Sequence, residues 1–162
     1  HDHVDVAATV DNMGIVLRAQ GKFAEALEKH QQALEIRISK LGHDHVDVAK
    51  TYNNMGNVLQ KQGDYKKALE YYNMALKIRL DKLGHDHVDV AKTYNNMGNV
   101  LQKQGDYKKA LEYYNMALKI RVDKLGHDHV DVAKTYNNMG NVLQKQGDYK
   151  KALEYFQKSL EI

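Results

Sequence analysis

The sequence contains no cysteine and no proline among its 162 residues. Without cysteine, neither a disulfide scaffold nor a thiolate metal site can form, and a reducing compartment, the cytoplasm, is the expected location. Average usage would give about eight prolines in a chain of this length, so their absence favours a mostly helical chain whose turns depend on glycine. The sequence also shows no signal peptide and no apolar run long enough to span a bilayer.

A strong excess of one charge is missing as well. The net charge is only +3, and acidic and basic residues are spread evenly along the chain. Non-specific nucleic-acid binding depends on a basic patch or stripe, which this distribution does not provide. We therefore expect neither a nucleic acid nor a membrane among the partners.

What the sequence does contain is a 42-residue repeat. The string HDHVDVA begins at residues 1, 43, 85 and 127, and residues 43–84 and 85–126 differ only in having Leu80 or Val122. A period of this length predicts a stacked array of one supersecondary unit rather than a globular domain with a single active site. We expect one solenoid domain over residues 1–162, with repeats at 1–42, 43–84, 85–126 and 127–162.

Each repeat has the pattern of two helices. In the first helix of residues 43–84, apolar residues recur at the spacing of one helix face: Val48, Tyr52, Met55 and Leu59. The second helix carries two apolar stripes: Tyr65, Ala68, Leu69, Tyr72, Ala75, Leu76 and Leu83, and then Tyr71, Met74 and Ile78. A helix with two stripes is expected to pack between two neighbours.

The residues at the helix ends supply the expected caps. Either Asp44 or His45 is predicted to cap the first helix of the repeat, and Asp64 the second. Gly63 is predicted to end the first helix with a positive φ angle. Gly84 is predicted to end the second.

A glycine inside the first helix needs an explanation. Gly56 costs about 1 kcal/mol relative to alanine in a helix interior, and the cost recurs in every repeat. We expect a close approach to the second helix, opposite Ala68 and Ala75, to offset this cost.

The spacing resembles that of the tetratricopeptide repeat. The family pattern is Trp-x2-Leu-Gly-x2-Tyr, then Ala-x3-Phe, then Pro, with a period of about 34 residues. The sequence here has the same spacing: Tyr52-x2-Met55-Gly56-x2-Leu59 and then Ala68-x3-Tyr72. Leu80 replaces the family proline, so the second helix is expected to continue through Lys82. The 42-residue unit resembles the repeats of kinesin light chains, which implies an all-α, right-handed α-solenoid of four helix-turn-helix repeats and eight helices.

The resemblance also implies a concave wall lined by the first helix of each repeat. The lining positions carry amides and lysines: Lys50, Asn53, Asn54, Asn57, Gln60 and Lys61, then Lys92, Asn95, Asn96, Asn99, Gln102 and Lys103, then Lys134, Asn137, Asn138, Asn141, Gln144 and Lys145. Helix geometry places positions 50, 53, 57, 60 and 61 on one face, offset from the apolar face. An amide offers two donors and an acceptor to the backbone of an extended peptide, and lysines favour acidic ligands. The alternative is a solvated polar face copied by duplication.

The first repeat differs at these lining positions. Four residues replace two lysines and two asparagines there: Ala8, Asp11, Ile15 and Ala19. They form either a different subsite or a terminal repeat that has drifted or acts as a cap, and the second interpretation is favoured because terminal repeats are usually atypical.

The fourth repeat differs near its end. Lys158 and Ser159 replace Met74 and Ala75 of the second repeat. Both changes add polarity, as expected of a C-terminal capping helix.

The HDH strings and two serines are the remaining candidates for chemistry. One string, such as 43–45, has too few ligands for a closed metal site, and packed helices hold equivalent strings roughly 10 Å apart. We therefore predict a role in the junction between repeats and no metal or other cofactor. The only serines are Ser39 and Ser159, and the acid–base groups repeat without converging. The sequence predicts no enzyme.

Three hypotheses for function follow, and the least favoured is a metal-dependent protein that uses the HDH strings. The first is a protein-interaction scaffold that binds an extended, acidic peptide or protein segment in the concave groove. The alternative is a structural array without a dedicated ligand, which self-associates end to end through exposed terminal repeats or by helix swapping.

Overall fold

The computed structural model describes residues 4–162, and within that range it consists of eight α-helices without strands. The helices are α1 (Val4–Ala19), α2 (Phe23–Leu41), α3 (Val46–Gln62), α4 (Tyr65–Leu83), α5 (Val88–Gln104), α6 (Tyr107–Leu125), α7 (Val130–Lys145) and α8 (Tyr149–Leu160). Each repeat therefore contributes one A helix (α1, α3, α5, α7) and one B helix (α2, α4, α6, α8). The first HDH string, at residues 1–3, lies outside the described residues. No described helix combines the length and apolar character needed to cross a membrane.

The B helices continue past the position of the family proline, as predicted. Both α4 and α6 are 19 residues long, and Leu80 and Val122 lie inside them. Both residues have the backbone N–H that proline lacks, so the helical hydrogen bonds continue through this position.

Contacts divide the chain into two compact units, His1–Lys82 and Leu83–Ile162. In the first unit α2 packs against both α1 and α3, and in the second unit α6 packs against both α5 and α7. These B helices therefore lie between two neighbours, which explains why their sequences carry two apolar stripes.

The predicted apolar face of the A helix forms the core. In α3, Val48, Met55 and Leu59 are buried, and Val48 and Met55 join a cluster with Leu34 of α2 and Ile78 of α4. Each such side chain contributes about 1.5–3 kcal/mol on full burial.

The turn between the helices of a repeat follows the predicted chemistry. Gly63 has φ 86°, its N–H donates to the Gln60 carbonyl, and the Asp64 N–H donates to the Leu59 carbonyl at 2.9 Å. This is the Schellman motif, which satisfies the last carbonyls of α3. The Asp64 carboxylate then accepts from the Lys67 N–H at 3.3 Å and caps α4.

The first repeat lacks this cap. Lys22 occupies the N-cap of α2 with φ −89° and ψ 71°, close to the −88° and 74° of Asp106 at the N-cap of α6, but it makes no capping hydrogen bond. We expect Lys22→Asp to raise the free energy of unfolding by about 1 kcal/mol, because it adds a cap and removes a cation from a helix N-terminus. Urea denaturation measures the gain, with Lys22→Ala as the control. Equal stability of the two variants would contradict the capping explanation.

The glycines inside the A helices face aromatic rings. A Cβ atom on Gly56 would lie 2.6 Å from Tyr72 Cε1. The predicted close approach is confirmed, and the nearest atoms belong to the Tyr72 ring rather than to Ala68 or Ala75. The ring of Tyr72 occupies the space that a side chain at position 56 would need.

The first repeat contains a buried polar network that the sequence did not reveal. The Asp11 carboxylate accepts from His30 Nδ1 at 2.6 Å, from Arg37 Nη1 at 2.7 Å and from Thr51 Oγ1 at 2.8 Å. Asp11 is only 2% exposed, and His30 and Arg37 are also buried.

This network corrects the interpretation of the first repeat. Asp11 does not line the groove, because its buried carboxylate neutralises a guanidinium and joins α1 to α2 and α3. The carboxylate offsets part of the cost of removing the Arg37 charge from water.

Candidate functional site

The predicted lining residues of the third and fourth repeats gather around two cavities in the second unit. One cavity contains six of these residues and the other contains four. Of the twelve predicted residues in these repeats, only Asn99 and Lys103 line neither cavity.

The first of these cavities lies between the A helices α5 and α7 and has a volume of about 500 Å³. We call it the amide cavity, and its lining residues are Lys92, Asn95, Asn96, Arg121, Val130, Asp131, Ala133, Lys134, Asn137, Asn138 and Ser159. Asn138 Nδ2 donates to Asn95 Oδ1 at 3.4 Å, so amides from successive repeats meet here.

The charge of the amide cavity is positive. Lys92, Lys134 and Arg121 contribute three cations, and Asp131 contributes one carboxylate. Burial lowers the pKa of the Arg121 guanidinium, and Asp131 partly offsets this shift. An arginine remains charged in proteins nevertheless, so the cavity presents a net attraction to anions.

Two of the lining residues that the sequence analysis missed come from B helices. Arg121 of α6 donates to Thr135 Oγ1 at 2.9 Å, and Thr135 Oγ1 donates to the Asp131 carbonyl at 2.8 Å. The available signal was an arginine that recurs every 42 residues, at Arg37, Arg79 and Arg121, in a helix with two apolar stripes.

Ser159 of α8 is the other B-helix residue that was missed. Its Oγ donates to the Ala133 carbonyl of α7 at 2.9 Å. The polarity of Ser159 was predicted to serve a C-terminal cap, whereas in the structure it contacts the neighbouring helix and lines the amide cavity.

The second cavity has a volume of about 490 Å³. It is lined by Gln102, Asn141, Gln144, Lys145 and Tyr149. Tyr149 is largely exposed, at 65% of its surface. This cavity therefore adds an accessible aromatic ring to the predicted amides and lysine.

Some of the predicted amides also have a structural role. The Tyr72 hydroxyl donates to Asn57 Oδ1 at 2.6 Å and lies 3.0 Å from Gln60 Oε1. The Tyr114 hydroxyl has the equivalent partners, Asn99 Oδ1 at 2.5 Å and Gln102 Oε1 at 3.1 Å. These carbonyl oxygens satisfy hydroxyls of otherwise buried tyrosines, so they are less available to a ligand.

The buried tyrosines predict a loss of stability at alkaline pH. Burial raises the pKa of Tyr114 well above its ordinary value near 10. Above pH 10 the unfolded chain loses this proton while the folded chain keeps it, so the stabilisation present below pH 10 declines as the pH rises.

The measurement is urea denaturation between pH 8 and pH 11. Tyr114→Phe lacks the titrating group, so the stability difference between the unsubstituted chain and this variant is expected to shrink by about 1 kcal/mol over that range. Phe156 already occupies the equivalent position in the fourth repeat. Parallel stability curves for the two proteins would contradict the role assigned to burial.

The predicted residues of the second repeat lie on α3. Lys50 and Lys61 are exposed, whereas Asn53 and Asn54 are only 3% and 8% exposed. Ligand binding by these residues stays a prediction.

The histidines of the HDH strings act as helix caps. His45 Nδ1 accepts from the Asp47 N–H at 3.0 Å, and His87 and His129 repeat this bond at α5 and α7. In a neutral imidazole that accepts at Nδ1, the proton lies on Nε2, so a ring in this capping state has no free lone pair for a metal. Among residues 4–162, no cluster of three or more histidine, aspartate or glutamate side chains has a metal-binding arrangement.

Comparisons with known proteins agree with this architecture. The chain is similar over 98% of its length to BtubC (BKLC) from P. vanneervenii, with a TM-score of 0.88 and 24% identity, and it spans 64% of that protein. It is similar over 99% of its length to the nearly identical TPR-like repeats of a kinesin light chain candidate from Podosopora anserina, covering 76% of that chain, with a TM-score of 0.86 and 17% identity. These similarities confirm the predicted all-α solenoid fold of TPR-like repeats.

Comparison at the level of sequence identifies the family. No curated protein sequence matches the chain significantly. The family description tetratricopeptide repeat matches residues 5–81 and 82–162, which together include almost every residue. The chain therefore belongs to the tetratricopeptide repeat family.

Proposed function

We propose that the protein is an interaction scaffold that binds an acidic, extended peptide segment in the amide cavity. Membership in the tetratricopeptide repeat family supports the general role, because such repeats typically bind protein partners and are not enzymes. The observation that carries the specific proposal is the hydrogen bond between Asn95 and Asn138 in a cavity that is also lined by two lysines and an arginine. A cytoplasmic location is part of the proposal.

The donor and acceptor chemistry supports an extended ligand. Each asparagine side chain offers two donors and one acceptor, and the amides of α5 and α7 repeat at intervals along the two helices. An extended peptide presents backbone N–H and C=O groups that are not paired within the peptide, and these can bond to such amides.

The charges support an acidic ligand. Lys92, Lys134 and Arg121 attract carboxylates, and charge-assisted hydrogen bonds are about twice as strong as neutral ones. Asp131 repels a carboxylate only in its own part of the cavity, so we expect acidic ligand residues to lie towards the lysines.

The experiment is an array of random peptides of about twelve residues, which span roughly 40 Å when extended. We expect retained peptides to be enriched in aspartate and glutamate, and retention to decline as salt rises from about 0.1 M to about 1 M, where the Debye length falls from about 10 Å to about 3 Å. Retention of peptides without acidic enrichment would contradict the proposal.

A second candidate function is end-to-end self-association. On α1, Met13 and Val16 are 45% and 56% exposed, and on α8, Leu153 and Leu160 are 70% and 78% exposed. A cavity of about 650 Å³ beside Met13 is also lined by Glu25 and Glu28, whereas α8 carries several lysines. Contact between these different surfaces would be head to tail and could extend into filaments. Light scattering over a concentration series measures the molecular mass and so tests for self-association. A strict monomer at high concentration would contradict this function.

A further inference from the structure

Pairs of tyrosine rings recur in the last three repeats, one ring from the A helix and one from the B helix. Their centroids are 6.0, 5.8 and 6.0 Å apart, and the rings are tilted by 42°, 42° and 45°: Tyr52 with Tyr71, Tyr94 with Tyr113, and Tyr136 with Tyr155. The face of an aromatic ring is electrostatically negative, so a tilted pair can attract one cation with both faces.

The fourth repeat shows such a cation in place. Lys158 Nζ lies 4.9 Å from the ring centroid of Tyr155 and 5.6 Å from that of Tyr136. Both distances are within the roughly 6 Å at which cation–π attraction acts. The ring pair of this repeat therefore holds an ammonium group that the chain itself supplies.

The third repeat has the same ring pair but an uncharged residue at this position. Met116 stands where the fourth repeat has Lys158, and it is 38% exposed. A cavity of about 410 Å³ lies beside Met116 and Tyr94. Its lining includes two carboxylates, Asp86 and Asp123, and one cation, Lys119.

We propose that the Tyr94–Tyr113 pair, with Asp86 and Asp123, binds the ammonium group of a lysine side chain from a partner protein. The rings provide cation–π attraction, and the two carboxylates outweigh the single charge of Lys119. The flexible thioether side chain of Met116 can move to admit the ligand and then pack against its alkyl stem.

This site goes beyond the proposed function because it selects the opposite charge. The amide cavity attracts carboxylates, whereas the ring pair attracts an ammonium group. A partner segment with separate acidic and basic stretches could therefore bind to both.

The test uses protein labelled with ¹³C at the methionine methyl groups. The probe is Nα-acetyl-lysine N-methylamide, and the control is Nα-acetyl-norleucine N-methylamide, which has an alkyl chain without the ammonium group. We expect the lysine probe to shift the Met116 methyl signal with millimolar affinity, and the norleucine compound to leave it unchanged. Met116→Leu assigns the signal. No shift up to high millimolar concentration, or an equal shift with norleucine, would overturn the proposal.

A matched variant locates the site. Tyr113→Leu is expected to abolish the shift of the Met116 methyl signal. Met74 lies in the same sequence context in the second repeat, so the shift of its signal should remain and serves as an internal control for folding. An unchanged Met116 response in this variant would overturn the proposal.

A surface variant tests the charge without touching the rings. Glu161 occupies the position of Lys119 in the fourth repeat, so Lys119→Glu copies a residue that the chain already has at an equivalent, exposed position. We expect it to strengthen binding of the lysine probe about threefold, as a favourable surface charge typically does. Unchanged or weaker binding would contradict the proposal.

Discussion

Asp11→Asn is expected to lower the free energy of unfolding by about 3–5 kcal/mol, the largest effect predicted for this chain. The Asp11 carboxylate accepts hydrogen bonds from His30, Arg37 and Thr51. Asparagine keeps the size of the side chain but removes its charge, so His30 and Arg37 would both lose the carboxylate that accepts their hydrogen bonds. Urea denaturation followed by circular dichroism measures the loss.

The other repeats provide the control for this prediction. They carry asparagine at the position of Asp11, and the second and third repeats carry tyrosine at that of His30. The double variant Asp11→Asn/His30→Tyr should therefore recover part of the stability that Asp11→Asn loses. Adding Ile15→Asn and Arg18→Gln should recover more of the stability. These two changes give the new tyrosine at position 30 the acceptors that Tyr72 has in Asn57 and Gln60.

The interaction between these positions is measured by a double-mutant cycle. We expect the two changes Asp11→Asn and His30→Tyr to be strongly non-additive, because each leaves the partner group in a network built for the other residue. Additive losses would contradict the explanation of the first repeat as a self-consistent alternative to the internal repeats.

Gly98→Ala is expected to destabilise the chain by about 2–3 kcal/mol through steric overlap. A Cβ atom at this position would lie 2.7 Å from Tyr114 Cε1, inside the buried contact between α5 and α6. The direction of the effect is diagnostic, because helix propensity alone would make the same change stabilising by about 1 kcal/mol.

A smaller side chain on the partner helix tests the cause. Tyr114→Leu is itself destabilising, but in combination with Gly98→Ala it removes the ring that the new methyl group would meet. The double variant is therefore expected to be more stable than the sum of the two single losses predicts, as seen in chemical denaturation. Stabilisation by Gly98→Ala alone would show that the close approach does not limit this position.

The regular part of the fold could be predicted from the sequence because it depends on local chemistry. The spacing of Val48, Met55 and Leu59 defines one helix face. Gly63 can adopt the positive φ angle that ends α3, and the Asp64 carboxylate can cap α4. These signals lie within a few residues of the structure that they determine. The length of the B helix was predictable for the same reason.

The buried contacts could be predicted only in part because they join distant residues. The periodicity placed Asp11 on the lining face of α1, but it carried no information on the guanidinium of Arg37, 26 positions away, which makes a buried carboxylate favourable. The ring of Tyr72 as the nearest neighbour of Gly56 was likewise not predicted, because sequence spacing does not show which side chain of the neighbouring helix reaches a glycine.

In the candidate site, too, the residues on one helix face could be predicted, whereas those that depend on helix packing could not. Asn95 and Asn138 were correctly placed on neighbouring A helices, which follows from the repeat period. Arg121 and Ser159 enter the amide cavity from the B helices α6 and α8, and their position depends on how the helices pack. Sequence analysis of the A helices alone could not include them.

The measurement that tests the central claim most directly is the affinity of two charge-reversed variants for an acidic peptide selected on the array. Lys92→Glu/Lys134→Glu reverses two charges in the amide cavity, and Lys108→Glu/Lys109→Glu makes the same change in net charge on exposed residues of α6. The account predicts that the first pair weakens binding at least about tenfold and the second pair less than about threefold, because only the first removes close contacts with ligand carboxylates. Equal weakening by the two pairs would contradict binding in the amide cavity.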